Sequence, residues 1–422
     1  MKKYILIILC CLTSFPLWSY NVNMIVEHYS VDQGLPNNTV NCTLKDRDGF
    51  IWFGTWYGLC CFDGVKFKTF NKQEHDSDVP PRKIQRIVED KNGYIWVKTI
   101  DRKLYVFNKV TECFHAVYDD MKNYSENIQV IKLQNTAEGD VLLLTKDKNL
   151  LLAGVDEKGQ VTIKILFDSR DEINKHDYTL KHHVLCETEE YISWIGTDYK
   201  VSAVHKGAEL ASRPADFITS KINSGDKDSF TSFFEDGRKV WVGDRAGIFY
   251  SIDVRTGLVN RYVLSEIKGA ISNLLVTPAG YVYLSVTGQG TYEYDLAERR
   301  LQKINTEMND AMVTHAFIDQ YDKIWFHENE KALIYYDPLN HTAKRFPFTM
   351  FGKITTLYSE DAGERGLFFL SPAGEAWLFD REHVEMVYIN KLKQLSNDRA
   401  NQQFYHLMLD NDGVLWLSSA DE

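Results

Sequence analysis

The sequence predicts an all-β fold: a seven-bladed β-propeller of four-stranded antiparallel blades, followed by the start of a second propeller. Three observations carry that expectation. A tryptophan-centred motif recurs along the chain, its copies lie about 45 residues apart, and each copy sits in the same series of short strands and tight turns. The clearest copies are DRDGFIWFGT at 46–55, DKNGYIWVKT at 90–99, EDGRKVWVGD at 235–244 and DNDGVLWLSS at 410–419. Aligning the weaker ones gives nine anchor positions: Trp52, Trp96, Leu142, Trp194, Trp241, Tyr283, Trp325, Phe368 and Trp416.

The chain opens with MKKYILIILCCLTSFPLWSY: two lysines, an apolar core from Tyr4 to Leu12, and Ser19 before a cleavage point. Residues 1–20 read as a secretory signal peptide, too short for a convincing spanning helix. Cys10 and Cys11 lack the small preceding residue that lipid attachment requires. No later stretch approaches 18 apolar residues, so the remainder is expected to be exported and soluble. The segment IVEHYS at 25–30 matches the last strand of a unit and is expected to pair onto another blade and help close a ring.

Each unit then repeats one grammar. An apolar strand such as VNCTLKD or IQRIVED leads to an Asp-Gly or Asn-Gly turn (Asp48-Gly49, Asn92-Gly93, Asp412-Gly413), where glycine supplies the positive φ of a tight hairpin. The strand with the anchor follows. After a second turn comes a strand ending in an aromatic and an acidic or amide residue, as in CCFDG, YVFNK and YEYDL, and a short outer strand closes the unit. Three hairpins in succession make a four-stranded meander, and meanders repeated radially make a propeller. The anchor tryptophan is then expected to pack one blade on the next, burying about 200 Å² and worth about 3–5 kcal/mol. A helical solenoid is excluded because no unit shows a 3.6-residue period.

Seven units span 24–349, the first propeller. Residues 350–422 are expected to be the first one to two blades of a second propeller, truncated after the second strand of unit nine. Half a blade leaves an exposed edge, so the chain reads as the front of a longer gene product.

Composition narrows the function. The net charge is −11, which argues against a nucleic-acid partner. Five cysteines remain after the leader, Cys42, Cys60, Cys61, Cys113 and Cys186, with no spacing of a disulfide framework or a zinc site. Cys60 and Cys61 adjoin on a strand and should face opposite ways. No catalytic motif, metal site or cofactor is expected. His182-His183 alternate across a strand, and His327-Glu328 alone faintly suggests a propeller lyase.

The stretch 29–70, YSVDQGLPNNTVNCTLKDRDGFIWFGTWYGLCCFDGVKFKTF, resembles the periplasmic sensor region of Bacteroidetes hybrid two-component systems. The similarity rests on Gly34, Leu35, Pro36, Asn37, Asn38 and Val40, then on Asp46, Gly49, Ile51, Trp52, Gly54, Thr55, Gly58 and Leu59 in the spacing D-x-x-G-x-I-W-x-G-T-x-x-G-L. The resemblance implies two seven-bladed periplasmic propellers and a small β-sandwich. A membrane helix, histidine kinase, receiver and helix-turn-helix domain follow, and the sensor detects oligosaccharides to control glycan-utilisation genes. The parts after the start of the second propeller are not in this sequence. The expected partners are an oligosaccharide, the second propeller of the same parent chain and a second copy in a homodimer.

Propeller ligand sites favour the face made by the turns between second and third strands and by the loops between blades. Sugars call for aromatic platforms beside planar polar groups. The candidate ligand-binding residues on that face are Trp56, Tyr57, Asn37, Asn38 and Arg102. Trp56 and Tyr57 stand outside the grammar, because the equivalent turns carry IDR, KDK, RAG or TGQ. Two other readings stay open: a secreted, lyase-like propeller enzyme and a protein-interaction propeller.

Overall fold

The computed structural model describes residues 27, 29–70, 80–121, 129–146, 149–167, 185–187, 190–195, 201–206, 215–216, 230–304, 313–328, 331–351, 358–361, 363, 366–371, 374–391, 403–410 and 414–420. The leader 1–20, His182, His183, the loop 220–228 and the side chains of Cys186 and Trp194 lie outside the described residues. Among the described residues there are eight four-stranded sheets and one two-stranded sheet, each strand pairing with its sequence neighbour. Every ladder is antiparallel. The all-β expectation and the four-stranded unit therefore hold.

Blade 1 consists of Val40–Lys45, Ile51–Thr55, Gly58–Phe62 and Phe67–Phe70. The inner strands of blades 2 to 8 are Ile84–Glu89, Val130–Asn135, Leu185–Glu187, Phe230–Glu235, Ile271–Val276, Val313–Ile318 and Tyr358–Asp361, and the two-stranded sheet is Gln403–Leu409 with Leu415–Ala420.

One contact recurs at the turn between the first and second strands. In blade 1 the indole N–H of Trp52 donates to Asp46 Oδ2 at 2.7 Å, while Asp46 Oδ1 accepts the backbone N–H groups of Asp48 and Phe50 at 3.0 and 2.9 Å. Trp96 and Asp90, Trp241 and Asp236, Trp325 and Asp319, and Trp416 and Asp410 repeat the indole bond at 2.9, 2.7, 3.3 and 2.9 Å. The aspartate thus forms the turn and satisfies a buried donor with the same carboxylate. Where the anchor has no N–H to place, the acid is gone: Thr136 precedes Leu142 and Thr277 precedes Tyr283, each accepting only backbone N–H.

The rest of the motif follows from packing. Trp52 meets Phe107 of blade 2 with ring centroids 5.5 Å apart, and Trp325 meets Phe379 of blade 8 at 4.6 Å, so the anchor joins consecutive blades as expected. Gly54 and Gly243 lie where the next inner strand comes closest. A Cβ at Gly54 would stand 2.5 Å from both Cys42 Sγ and Ile84 Cγ2, and one at Gly243 would stand 2.4 Å from Ser232 Oγ and 2.7 Å from Ile271 Cγ2. Thr55 Oγ1 accepts from the N–H of Tyr57 and Gly58, each at 3.2 Å, and donates to the Gly58 carbonyl, closing the second turn.

Inner strands carry a bulge at their second residue: Asn41, Gln85, Thr231, Ser272 and Thr314 each fall in a register shift. The bulge frees a polar side chain to reach sideways. Asn41 Nδ2 donates to the Ile84 carbonyl at 2.8 Å and Thr231 Oγ1 to the Ile271 carbonyl at 2.7 Å, each bonding the next blade. Cys60 and Cys61 fall in different apolar clusters, on opposite faces of their strand as expected, and both are free thiols.

Beyond 349 the packing continues. Trp325, Leu333 and Tyr335 of blade 7 share one apolar cluster with Leu367, Phe369, Trp377 and Phe379 of blade 8. The two-stranded sheet lies beside the inner strands of both blade 8 and blade 1. There Trp416 packs against Phe53, Phe62 and Tyr29, at 5.7, 5.7 and 6.3 Å. The expected boundary at 349/350 therefore falls between sheets that pack on one another. Tyr29, from the segment expected to help close a ring, stands at that seam; Ile25 and Val26 lie outside the described residues.

Two outcomes test this construction. Asp90→Ala strands the fully buried Trp96 N–H and the turn amides, and should cost about 2–3 kcal/mol, whereas Thr136→Ala should cost about 1 kcal/mol or less. Gly54→Ala should cost about 1–3 kcal/mol through overpacking. Urea midpoints at unchanged slope measure all three.

Candidate functional site

The turns between second and third strands and the loops between blades gather at one end of the sheets, joined by main-chain hydrogen bonds. Trp56 N–H donates to the Thr39 carbonyl, Lys83 N–H to the Trp56 carbonyl, Ile100 N–H to the Lys83 carbonyl and Val130 N–H to the Arg102 carbonyl. This ladder places blade 1's turn next to the entry of blade 2, and blade 2's turn next to the entry of blade 3.

Two of the expected residues project strongly. Trp56 is 43% exposed and Tyr57 63%. The Lys83 ammonium sits 5.2 Å from the Trp56 ring centroid, so one face of the indole is engaged by a cation. Asn37 and Asn38 are half-buried, and their side-chain oxygens build the loop: Asn37 Oδ1 accepts Thr39 N–H and Asn38 Oδ1 accepts Val31 N–H, both at 2.9 Å. The same loop holds a 3₁₀ turn, Val31–Gln33, with a capping box from Ser30 and Gln33, and Gly34 at φ 108° ends it. Arg102 is exposed at φ 68°, one blade away from the aromatic pair. Four of the five candidates therefore share blade 1's end, and Arg102 stands on the neighbouring turn.

A cavity of about 410 Å³ lies along the inner strands of blades 1 to 3, lined among others by Thr43, Lys45, Arg86, Glu89 and Asn135. The sequence reading did not single it out. Its signal is the polar residues set among the apolar ones in NCTLK and QRIVE, which a strand with one wet face would show.

The opposite end is filled by structural contacts. Asp46, Asp48 and Glu89 converge closely enough to hold a metal ion. The Lys109 ammonium stands among them at 3.0, 2.7 and 2.8 Å. Burial alone would lower the Lys109 pKa; its bonds to Asp48, Glu89 and Asp46 outweigh that and leave it raised. In blade 8, Arg381 reaches back to Asp319 and Asp361 of blades 7 and 8 at 2.5 and 2.9 Å in the same manner. The pair that suggested a lyase is also engaged. Glu328 is buried and bonded to Arg345 at 2.9 and 3.2 Å, and His327 Nδ1 lies 2.8 Å from Thr314 Oγ1 with its ring on Phe348.

Burial, and then His315, hold His327 below the ordinary histidine value of 6.5. The unfolded chain thus binds the proton more readily than the folded one. Stability from neutral His327 is complete above 6.5 and is lost as pH falls through the lowered folded-state value. His327→Gln should remove that part of the acid sensitivity, read as a smaller drop in thermal midpoint between pH 7 and pH 5.

Residues 34–57 match the family model described as "Two component regulator propeller". No curated protein matches the chain by sequence. Among solved structures, the chain is similar to the extracellular domain of BT4673 from B. thetaiotaomicron, described as a one-component or hybrid two-component system. Identity is 13% over 91% of this chain and 64% of that one, with a TM-score of 0.37. The extracellular domain of BT3049, described as a hybrid two-component system of the same organism, shows 15% identity over 93% and 57%, with a TM-score of 0.36. A streptogramin B lyase shows 12% identity over 83% and 93%, also at 0.37. The chain spans about 57–65% of the length of the extracellular domains it matches. The segment that carries the Asn37–Asn38 loop, Trp52, Trp56 and Tyr57 is thus the part of the chain that matches the two-component regulator propeller model.

Proposed function

We propose that this chain is the periplasmic ligand-sensing region of a hybrid two-component regulator, and that it recognises oligosaccharides through the end of the propeller carrying Trp56 and Tyr57. The observation that carries the reading is the exposure of two adjacent aromatics in one turn, where the equivalent turn of no other unit holds a pair and only that of unit four holds a single aromatic, Tyr199. A pyranose has an apolar face that stacks on a ring and hydroxyls that need planar polar partners. Exposed aromatics anchored by a rigid turn supply the first without a large ordering cost. The repeat at 34–57 supports the regulator context. Signalling would belong to the parent protein's other parts, with the sensor region exported. Among the described residues no helix is long and apolar enough to cross a membrane.

Calorimetric titration of the chain with a broad panel of oligosaccharides tests the reading. Saturable binding without product is expected, with Trp56→Ala and Tyr57→Ala each weakening it about tenfold, or about 1.4 kcal/mol, at unchanged urea midpoint. Turnover of any oligosaccharide would point to an enzyme instead, and failure to bind across the panel would leave a protein-interaction propeller.

A further inference from the structure

Blade 2 alone places a lysine at one buried position. The residue two after the anchor is glycine in units 1, 4 and 5 (Gly54, Gly196 and Gly243) and Leu144, Ser285, His327, Leu370 or Ser418 in five others, and in blade 2 it is Lys98. The inner-strand partner at this level is equally altered. Cys42 stands opposite Gly54 and Ser232 opposite Gly243, but Arg86 stands directly opposite Lys98. Two small pairs are thus replaced in blade 2 by two long cations side by side, an arrangement that repels.

Lys98 is only 5% exposed, and its ammonium is hydrogen-bonded to the side-chain oxygen of Gln85, a neutral amide on the bulge. Among the described ion pairs, no carboxylate is partnered to Lys98, Arg86 or Arg102. The nearby Asp101 is taken by the Thr99 hydroxyl and by Lys103 at 3.4 Å. Burial, then Arg102 and then Arg86, hold the Lys98 ammonium below its ordinary pKa of 10.5. Lys98 is thus a buried cation with two exposed arginines, Arg86 and Arg102, beside it, and an anion joining the three would offset its desolvation.

The surroundings say what such an anion would belong to. Arg86 lines the 410 Å³ cavity along the inner strands. Lys98 directly precedes the Thr99–Arg102 turn, which the Lys83 main chain joins to Trp56. We infer that Lys98, Arg86 and Arg102 form an anion subsite beside the aromatic pair, so that the ligand is an acidic oligosaccharide bearing a carboxylate or sulfate group. The aromatic face would take a ring of the sugar and the cations its charged substituent, through charge-assisted hydrogen bonds. This inference rests on the oligosaccharide reading for the identity of the ligand, but not for the anion subsite itself.

The test uses the whole chain, with oligosaccharides of matched length that are neutral, uronate-bearing or sulfated, and with inorganic sulfate as a separate probe. Lys98→Gly restores the residue of blades 1 and 5, and Lys98→Met keeps the buried stem without the charge. One or both charged series should bind at least tenfold more tightly than the neutral series. That advantage should shrink with added salt and vanish in both variants, and which series benefits separates carboxylate from sulfate. Charged and neutral sugars binding alike, or the preference surviving both variants, would overturn the inference while leaving oligosaccharide recognition standing. Sulfate raising the thermal midpoint of the wild type but of neither variant, with no sugar bound, would support the anion subsite and reject the oligosaccharide.

Discussion

The architecture depends on a carboxylate that serves two masters. In the clearest blades an aspartate closes the first hairpin by accepting backbone N–H groups and, with its other oxygen, receives the indole N–H of the anchor tryptophan six residues on. A tryptophan can fill the space between blades only if its single donor is satisfied. The clasp meets that need locally, so each blade carries its packing surface and the means to bury it. The replacement of the acid by Thr136 and Thr277 where the anchor is Leu142 or Tyr283 shows the same logic in reverse.

That division of labour gives the two ends of the sheets different character. At the clasp end the acids are consumed: Asp46, Asp48 and Glu89 surround Lys109, and Asp319 and Asp361 hold Arg381. What looks like a metal-binding triad is an ion-pair network tying adjacent blades. At the other end the backbone is satisfied by its own ladder through Trp56, Lys83 and Ile100, and the side chains of that ladder are left free to vary. Propellers can therefore change what they bind without disturbing how their blades pack.

Much of this was legible in the chain. The period, the four-strand unit, the turn glycines and the packing role of Trp52 follow from patterns confined to a dozen residues. So does the separation of Trp52 from Trp56: one obeys the repeat and is buried, the other violates it and is exposed. The asparagines of the loop were harder. Asn37 and Asn38 suit a sugar by chemistry, yet their oxygens bond Thr39 and Val31 across the loop, a geometry that residue type alone does not reveal. Nothing in the residue type of Lys98 signals its burial; the structure leaves it 5% exposed, opposite Arg86 and with its ammonium bonded to Gln85.

The sequence by itself determined the all-β class, the repeating four-stranded blade and the turn that carries the exposed aromatics. Each of these is set by local rules: side-chain alternation, positive φ at glycine and one donor per indole. Only the tertiary structure decided which charges are paired, which face inner-strand residues such as Arg86 present to the cavity, and how the last hairpin meets blade 1 at Tyr29 and Trp416. Those outcomes join residues from different blades, and a pattern with a 45-residue period says what each blade is without saying what two blades bring together.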